Sequence, residues 1–369
     1  MATYTNNQGK SPDDPSKEAD NDSVRSSSKE KNIHLARLSL LLKHDHNDFR
    51  FTRDILYERK IEQESDQRRG CKYVRVDVNT EMSKMLELMK VWGLDKPQFL
   101  ISVTGGAKDF NMSKRLRDTF RLGLMKTVLS TGAWIVTSGT HAGVGKLVGE
   151  AVGASEIASK NKNQVISIGI VPWGCVQDKE KLENSSGKRP VEYQIEKEQR
   201  INESFLDPNH SHFILVDDGT QHKFDIEIPF RAKLKKAIAE EKAVMVPNIL
   251  LVLGGGPGTL KNVHEAILKN TPIVVVNGSG RAADILAYAY LNAMEVKKHA
   301  QNKYKGMFPY VEFTVEEMIV REFGNEETST HLKRIRDCLK ESDLMSVYEI
   351  EGKGGVKDID VAILQALLK

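Results

Sequence analysis

The sequence predicts an α/β fold, a Rossmann-like parallel sheet flanked by helices, with a C-terminal helical extension. Three observations lead to this prediction. Short runs rich in Val, Ile and Leu alternate with stretches of helical periodicity between residues 73 and 300. Three of these runs end in glycine directly before a helix, as strands of nucleotide-binding sheets do. After about residue 300 the pattern becomes helical.

The apolar runs and the helical stretches give the elements in order. Seven strands are predicted, at residues 73–78, 99–103, 134–137, 165–171, 212–216, 249–253 and 273–276. Apolar residues at three- and four-residue spacing predict helices at 112–132, 228–241, 258–270 and 282–294. The first of these ends on Gly132, a residue type common at helix carboxyl ends. The polar segment 175–209 breaks the alternation, and insertions of this length are typically functional or mobile.

These patterns divide the chain into three parts. Residues 1–33 are mostly Ser, Asn, Asp and Lys, with Val24 the one branched aliphatic side chain before Ile33, and predict a disordered tail. Residues 34–300 form the Rossmann-like domain, although the mixed apolar and charged stretch before residue 71 predicts no definite element. Residues 301–369 form the helical extension, whose last segment, ILQALLK, predicts an amphipathic helix with an apolar stripe that needs a partner.

Composition excludes several classes of protein. The 369 residues include 54 basic and 51 acidic side chains, which give a net charge of +3. This chain therefore lacks the large excess of positive charge that is typical of nucleic-acid-binding proteins. No apolar stretch is long enough to predict a membrane span, and no secretory signal opens the chain. Cys71, Cys175 and Cys338 lie far apart, which favours a reducing, cytosolic compartment over a disulfide framework or a zinc site. His210 and His212 fit ordinary strand-edge residues better than metal ligands, so no metal is predicted.

Three strand-to-helix turns are rich in glycine and are the candidate binding site. Such turns place free backbone NH groups and the positive end of a helix dipole at the carboxyl edge of a sheet, where phosphate binds. One such turn is weak evidence, but three at one edge favour an anion site. The candidate residues are Thr104, Gly105 and Gly106 in the first turn, Gly255, Gly256, Gly258 and Thr259 in the second, and Gly278, Ser279, Gly280 and Arg281 in the third.

Two cations and one aromatic residue add to this site. Arg281 lies at the first turn of a helix, where a cation is unfavourable unless an anion is expected. Arg231 belongs to a basic cluster with Lys233, Lys235 and Lys236 that by default is a solvated helix face. Phe224 is either a core anchor or a platform on which a base stacks.

The turn GGGPGT resembles that of the so-called lysine decarboxylase, or cytokinin-activating phosphoribohydrolase, family. In that family a glutamate follows the turn and takes part in cleaving the base from ribose. Asn262 stands at that position here. Because an amide cannot act as a general base, no catalytic residue is predicted.

A longer resemblance covers residues 72–369. WGLDKPQFLISVTGGAKDFNM, TGAWIVTSGTHAGV, NHSHFILVDDGT and the second and third turns resemble the first cytosolic homology regions of melastatin-type transient receptor potential cation channels, in particular the ADP-ribose-gated member. The resemblance implies a SLOG-type nucleotide-sensing domain on the cytoplasmic side of a membrane, in a tetrameric, calcium-permeable channel. It selects Phe224, Arg231 and Arg281 as contacts of ADP-ribose. The related channels carry tyrosine where this chain has Phe224.

The expected mechanism is non-covalent and needs no cofactor. The turns at Gly105, Gly255 and Gly278 hold the diphosphate of ADP-ribose, or of a 2′-deoxy or cyclic analogue, while the two arginines neutralise it and Phe224 stacks on adenine. Two alternatives remain open. One is a phosphoribohydrolase or an ADP-ribose hydrolase, and the other is an assembly module that no longer binds a nucleotide.

Overall fold

The computed structural model describes residues 49–57, 69–106, 112–158, 165–183, 191–196, 198–240, 245–298, 307–349 and 358–368. The predicted tail, residues 1–33, lies outside the described residues.

Ten strands in the described ranges form one sheet, in the order β10-β9-β8-β3-β4-β5-β7-β2-β1-β6. Eight of them, from β10 to β2, are parallel, which confirms the predicted parallel α/β sheet. At the far edge β1 runs antiparallel to β2, and β6 pairs with β1. The strands are β1 (Phe49–Tyr57), β2 (Arg69–Asp77), β3 (Leu100–Gly105), β4 (Trp134–Thr137), β5 (Ser167–Pro172), β6 (Val191–Glu192), β7 (His212–Asp217), β8 (Asn248–Leu253), β9 (Ile273–Val276) and β10 (Met345–Tyr348).

Helices follow most of the parallel strands. The helix predicted from residue 112 is confirmed: the Ser113 hydroxyl caps its start by accepting from the Leu116 amide at 3.2 Å, and Gly132 ends it with φ 64°. The helices of the described residues are α1 (Met82–Val91), α2 (Lys114–Thr131), α3 (Gly143–Ala158), α4 (Lys179–Glu183), α5 (Ile228–Glu240), α6 (Pro257–Ile267), α7 (Arg281–Lys298), α8 (Met307–Phe323), α9 (Thr328–Lys340) and α10 (Ile359–Ala366).

The helices cover both faces of the sheet, because alternate residues of a strand point to opposite sides. In β8, Leu251 and Leu253 pack with α2, α3 and α10. Leu250 and Val252 pack on the other face with α6, α7, α8 and α9, and that second layer continues with α1 and α5. Both faces of the sheet are therefore apolar, which explains why each strand is a continuous run of apolar residues in the sequence.

The polar segment 175–209 packs on the sheet in its described part. Tyr193, Phe205 and Leu206 are buried in a cluster with Tyr73 and Phe213 of the strands. The Tyr193 hydroxyl donates to the carbonyl of Gln177 at 2.5 Å. A few large apolar side chains therefore anchor a segment whose composition is mainly polar and charged.

The predicted helical extension is part of the same fold and also contributes a strand, β10, that was not predicted. β10 pairs in parallel with β9. The apolar stripe of α10 has its partner in α2: Ile359 and Ile363 are buried there, and Lys126 of α2 meets Asp360 at 2.7 Å. A Cβ on Gly123 would collide with the side chain of Ile359, so the close approach of the two helices needs glycine at that position.

The chain changes direction between β3 and β8. From β3 it proceeds to β4, β5 and β7, whereas from β8 it proceeds to β9 and β10 on the opposite side. β3 and β8 are nevertheless neighbours in the sheet. In open α/β sheets a crevice opens at the carboxyl ends of strands at such a switch point, and ligands bind there.

Candidate functional site

The three glycine-rich turns lie side by side at this switch point. They follow β3, β8 and β9, which are consecutive parallel strands, and Gly105 is the register partner of Leu253. The structure therefore brings together all three turns that the sequence singled out.

Hydroxyl side chains tie the turns to one another. The Gly254 amide donates to the Ser279 hydroxyl at 2.8 Å, which joins the second turn to the third. The Thr259 hydroxyl donates to the carbonyl of Gly105 at 3.2 Å, which joins the second turn to the first. Both side chains are buried. Ser279 and Thr259, which the sequence suggested as ligand contacts, are thus used within the protein to hold the turns in register.

Two of the glycines are required by close packing. A Cβ on Gly105 would collide with the carbonyl of Leu253, and a Cβ on Gly255, whose φ is 96°, would collide with Thr259. The backbones of the first two turns therefore approach more closely than any larger residue permits.

Asn262 is buried behind the second turn. Its side-chain amide donates to the Thr104 hydroxyl at 2.9 Å. This contact uses the amide where the related hydrolases carry a glutamate, and it also places Thr104 against α6.

In the third turn, the backbone amides already bind a carboxylate of the protein. The amides of Gly278 and Gly280 donate to one carboxylate oxygen of Asp284, at 2.8 and 3.0 Å. Sequence reasoning missed this contact, although an acidic residue in the first turn of a helix, as in GSGRAAD, is a known capping signal. A phosphate that used these two amides would have to replace the carboxylate.

Arg281 extends from the third turn to the second. Its backbone is left-handed, with φ 48°, and its guanidinium nitrogens lie 3.8 and 3.9 Å from where a Cβ on Gly256 would be. The side chain is 44% exposed. Its guanidinium carbon also lies 5.5 Å from the ring centre of Phe323, and a terminal nitrogen donates to the Glu322 carbonyl at 3.4 Å. Arg281 therefore stands between the second turn and the carboxyl end of α8.

Arg231 has a different environment. It is 5% exposed, and one terminal nitrogen donates to Glu227 at 2.7 Å and to the Ile170 carbonyl at 3.1 Å. Burial raises the pKa of Glu227, and the charge of Arg231 opposes that shift. Among the described residues, the Nε of Arg231 and the second oxygen of Glu227 have no hydrogen-bond partner, and both atoms are buried. The arginine is thus part of a buried ion pair.

The prediction of a solvated basic face on α5 is wrong for two of its four cations. Lys233 and Lys236 are exposed, but Arg231 and Lys235 lie on the buried face. Burial, and then the charges of Arg231 and Lys269, lower the pKa of Lys235 to about 7. The spacing of four residues between Arg231 and Lys235 places them one above the other, a relation that the charge pattern alone did not reveal.

The loop before α5 reaches the second turn. Phe224 is half-buried there. The next residue, Asp225, has φ 70°, and its carboxylate would collide with a Cβ on Gly258 at the start of α6. Asp225 is therefore the residue of this loop that lies against the second turn.

A buried polar cluster follows β4, two strands away from β8. Asp207, which is fully buried, meets His141 at 2.8 Å and His210 at 3.1 Å, and His210 also bonds to the Thr137 hydroxyl. Burial alone would raise the pKa of Asp207, but the hydrogen bonds of His141 and His210 hold it below its ordinary value. Within the described ranges no three His, Cys, Asp or Glu side chains are arranged to hold a metal ion.

Comparison with known proteins agrees with this architecture. A family model described as "SLOG in TRPM" matches residues 71–338. The transient receptor potential cation channel subfamily M member 2 of Mus musculus is 45% identical over 81% of this chain and 20% of its own length. A member-like 2 protein of Nematostella vectensis is 41% identical over 80% of this chain and 20% of its own. Member 7 of Homo sapiens is 35% identical over 81% and 16%.

The chain therefore spans between about a sixth and a fifth of the length of these channels. None of the helices in the described residues is long and apolar enough to cross a membrane. Because the family model covers most of the sheet and its three turns, the chain belongs to the family of SLOG domains found in melastatin-type transient receptor potential proteins.

Proposed function

We propose that this domain is a sensor that binds ADP-ribose, or a 2′-deoxy or cyclic analogue, without cleaving it. The observation that carries the proposal is the convergence of three glycine turns at the switch point of the sheet, with Arg281 against the second turn. Backbone amides, the amino end of α6 and a guanidinium suit a diphosphate. Phe224, which is half-buried in the loop before α5, would supply the flat surface on which adenine stacks.

The chemistry and the hydrogen bond of the Asn262 side chain favour a sensor over a hydrolase. Its amide is held by Thr104 in a buried hydrogen bond and can neither abstract a proton nor stabilise an oxocarbenium ion. The proposed role of the site is therefore binding alone, and the ligand leaves unchanged.

The proposed site has a direct connection to the C-terminal helices. Arg281 contacts Glu322 and Phe323 at the end of α8 as well as the second turn. A diphosphate that attracts Arg281 would weaken its contacts with α8, so the ligand would favour one arrangement of these helices over another. In a homotetrameric, calcium-permeable channel, with this domain on the cytoplasmic side, that shift would be transmitted to the remaining domains and bias the pore.

Titration calorimetry with ADP-ribose tests the proposal. Arg281→Ala is expected to weaken binding at least tenfold, or ~1.4 kcal/mol. Arg321→Ala is the matched control, since Arg321 also lies near Glu322, at 3.6 Å, but its side chain is 71% exposed, against 44% for Arg281. Equal affinities of the Arg281 variant and the unmodified protein would refute the role of Arg281, and no binding by the unmodified protein would refute the sensor.

Chromatography of the same mixtures separates a sensor from an enzyme. ADP-ribose and AMP incubated with the protein are expected to be recovered intact. Release of ribose 5-phosphate or adenine above the level of a protein-free control would establish a hydrolase instead.

A further inference from the structure

Asp225 occupies an unusual position beside the second turn. Its left-handed backbone, φ 70°, is uncommon for a residue other than glycine. Its carboxylate lies against Gly258, in the first turn of α6, where the dipole of a helix favours an anion. No hydrogen bond or ion pair among the described residues involves this carboxylate.

The surroundings of this carboxylate are polar and of mixed charge. Although the side chain is exposed, the protein around it is dense enough to raise its pKa, while Lys261 of α6 and Arg231 of α5 oppose that shift. Arg281 lies near Gly256, two positions earlier in the same turn. A ligand at the amino end of α6 would therefore lie near both a cation, at Gly256, and a carboxylate, at Gly258.

A carboxylate and a guanidinium at one site would act differently on two kinds of diphosphate. A diphosphate whose phosphates both carry sugars has one negative charge on each phosphate and presents hydroxyl groups, which donate hydrogen bonds to a carboxylate. A diphosphate that ends in a phosphate monoester brings additional negative charge, which an adjacent carboxylate repels.

We propose that Asp225 is a selectivity residue, which lies against Gly258 so that the site accepts a diphosphate flanked by sugars and disfavours one that ends in a free phosphate. This inference rests on the proposed nucleotide site. It adds a residue that the resemblance did not select, and it assigns to the exposed carboxylate a role in choosing the ligand. A residue with a merely structural role in the turn would change stability without changing the order of ligand affinities.

The test compares ADP-ribose with ADP by calorimetry in the unmodified protein, Asp225→Asn and Asp225→Gly. Asparagine and glycine both tolerate the left-handed backbone, so neither variant is expected to lose the fold. The unmodified protein is expected to bind ADP-ribose at least tenfold more tightly than ADP. Both variants are expected to narrow that ratio at least fivefold, mainly by binding ADP more tightly. Glu240→Gln, an exposed charge change at the opposite end of α5, is expected to leave the ratio unchanged.

The outcomes separate this inference from the proposed function. If the unmodified protein binds ADP-ribose and both variants keep its ratio of affinities, the role of Asp225 is refuted and the sensor stands. If the unmodified protein binds neither nucleotide, the site itself is refuted, and the inference with it. The melting temperatures of the unmodified protein and the three variants are measured without nucleotide. They show whether a variant with a changed ratio of affinities for ADP-ribose and ADP is still folded.

Discussion

Replacing Arg231 with methionine is expected to destabilise the fold even in the absence of a nucleotide. The substitution removes both hydrogen bonds of the guanidinium, to Glu227 and to the Ile170 carbonyl, and leaves Glu227, which is only 6% exposed, without its ion-pair partner. Breaking a buried ion pair on one side costs about 3–5 kcal/mol, because the remaining charge is neither solvated nor paired. The free energy of unfolding, measured by urea titration at pH 8, is expected to fall by about that amount.

Two further variants test whether the loss of stability comes from the unpaired charge of Glu227. Glu227→Leu combined with Arg231→Met removes both charges and is expected to recover most of the loss, to within ~1 kcal/mol of the original stability. Lys233→Met removes an exposed cation from the same helix and is expected to change stability by less than ~0.5 kcal/mol. A loss of under ~1 kcal/mol in Arg231→Met alone would refute the conclusion that the pair stabilises the fold.

The same pair predicts a pH dependence of defined sign. Burial raises the pKa of Glu227 above its unfolded value, and removing Arg231 raises it further. Between the pKa of Glu227 in the unfolded chain and its pKa in the native state, the native state binds more protons than the unfolded state. The free energy of unfolding therefore falls as pH rises through this range. The deficit of Arg231→Met is therefore expected to be larger at pH 8 than at pH 5. A deficit that grows as pH falls would contradict this assignment.

The double variant also tests whether Arg231 contributes to the affinity for ADP-ribose. If the variant with Glu227→Leu and Arg231→Met is folded but binds ADP-ribose at least tenfold more weakly, Arg231 contributes to the site through its charge. Unchanged affinity in that folded variant would restrict Arg231 to a structural role.

Two other predictions concern packing and capping. Gly123→Val is expected to cost about 1–3 kcal/mol and to detach α10, because the added side chain collides with Ile359; limited proteolysis should then release the C-terminal helix, whereas equal protection of both proteins would contradict the packing. Asp284→Asn keeps a capping side chain for Gly278 and Gly280 but removes the charge, so stability is expected to fall by at most ~1 kcal/mol while affinity for ADP-ribose rises; a lower affinity in calorimetry would show that the carboxylate assists binding.

The strands, most helices and the three turns could be predicted because each depends on neighbouring residues. A run such as ILLVL is apolar on both faces and predicts a buried parallel strand, and the glycines after it predict a tight turn into a helix. Because the strands of a parallel sheet run in the same direction, their carboxyl ends lie at one edge of the sheet. The family resemblance depended on the same local segments.

The partners of individual side chains were decided by the tertiary structure. Arg231 is in a charged cluster in the sequence, yet the rotation of α5 against β5 buries it beside Glu227. Asp225 and Gly258 are separated by 33 positions and meet only because α5 and α6 begin at the same edge of the sheet. Local patterns determine backbone hydrogen bonds and which face is apolar, whereas contacts between distant elements depend on strand order and helix packing, which no short stretch of residues encodes.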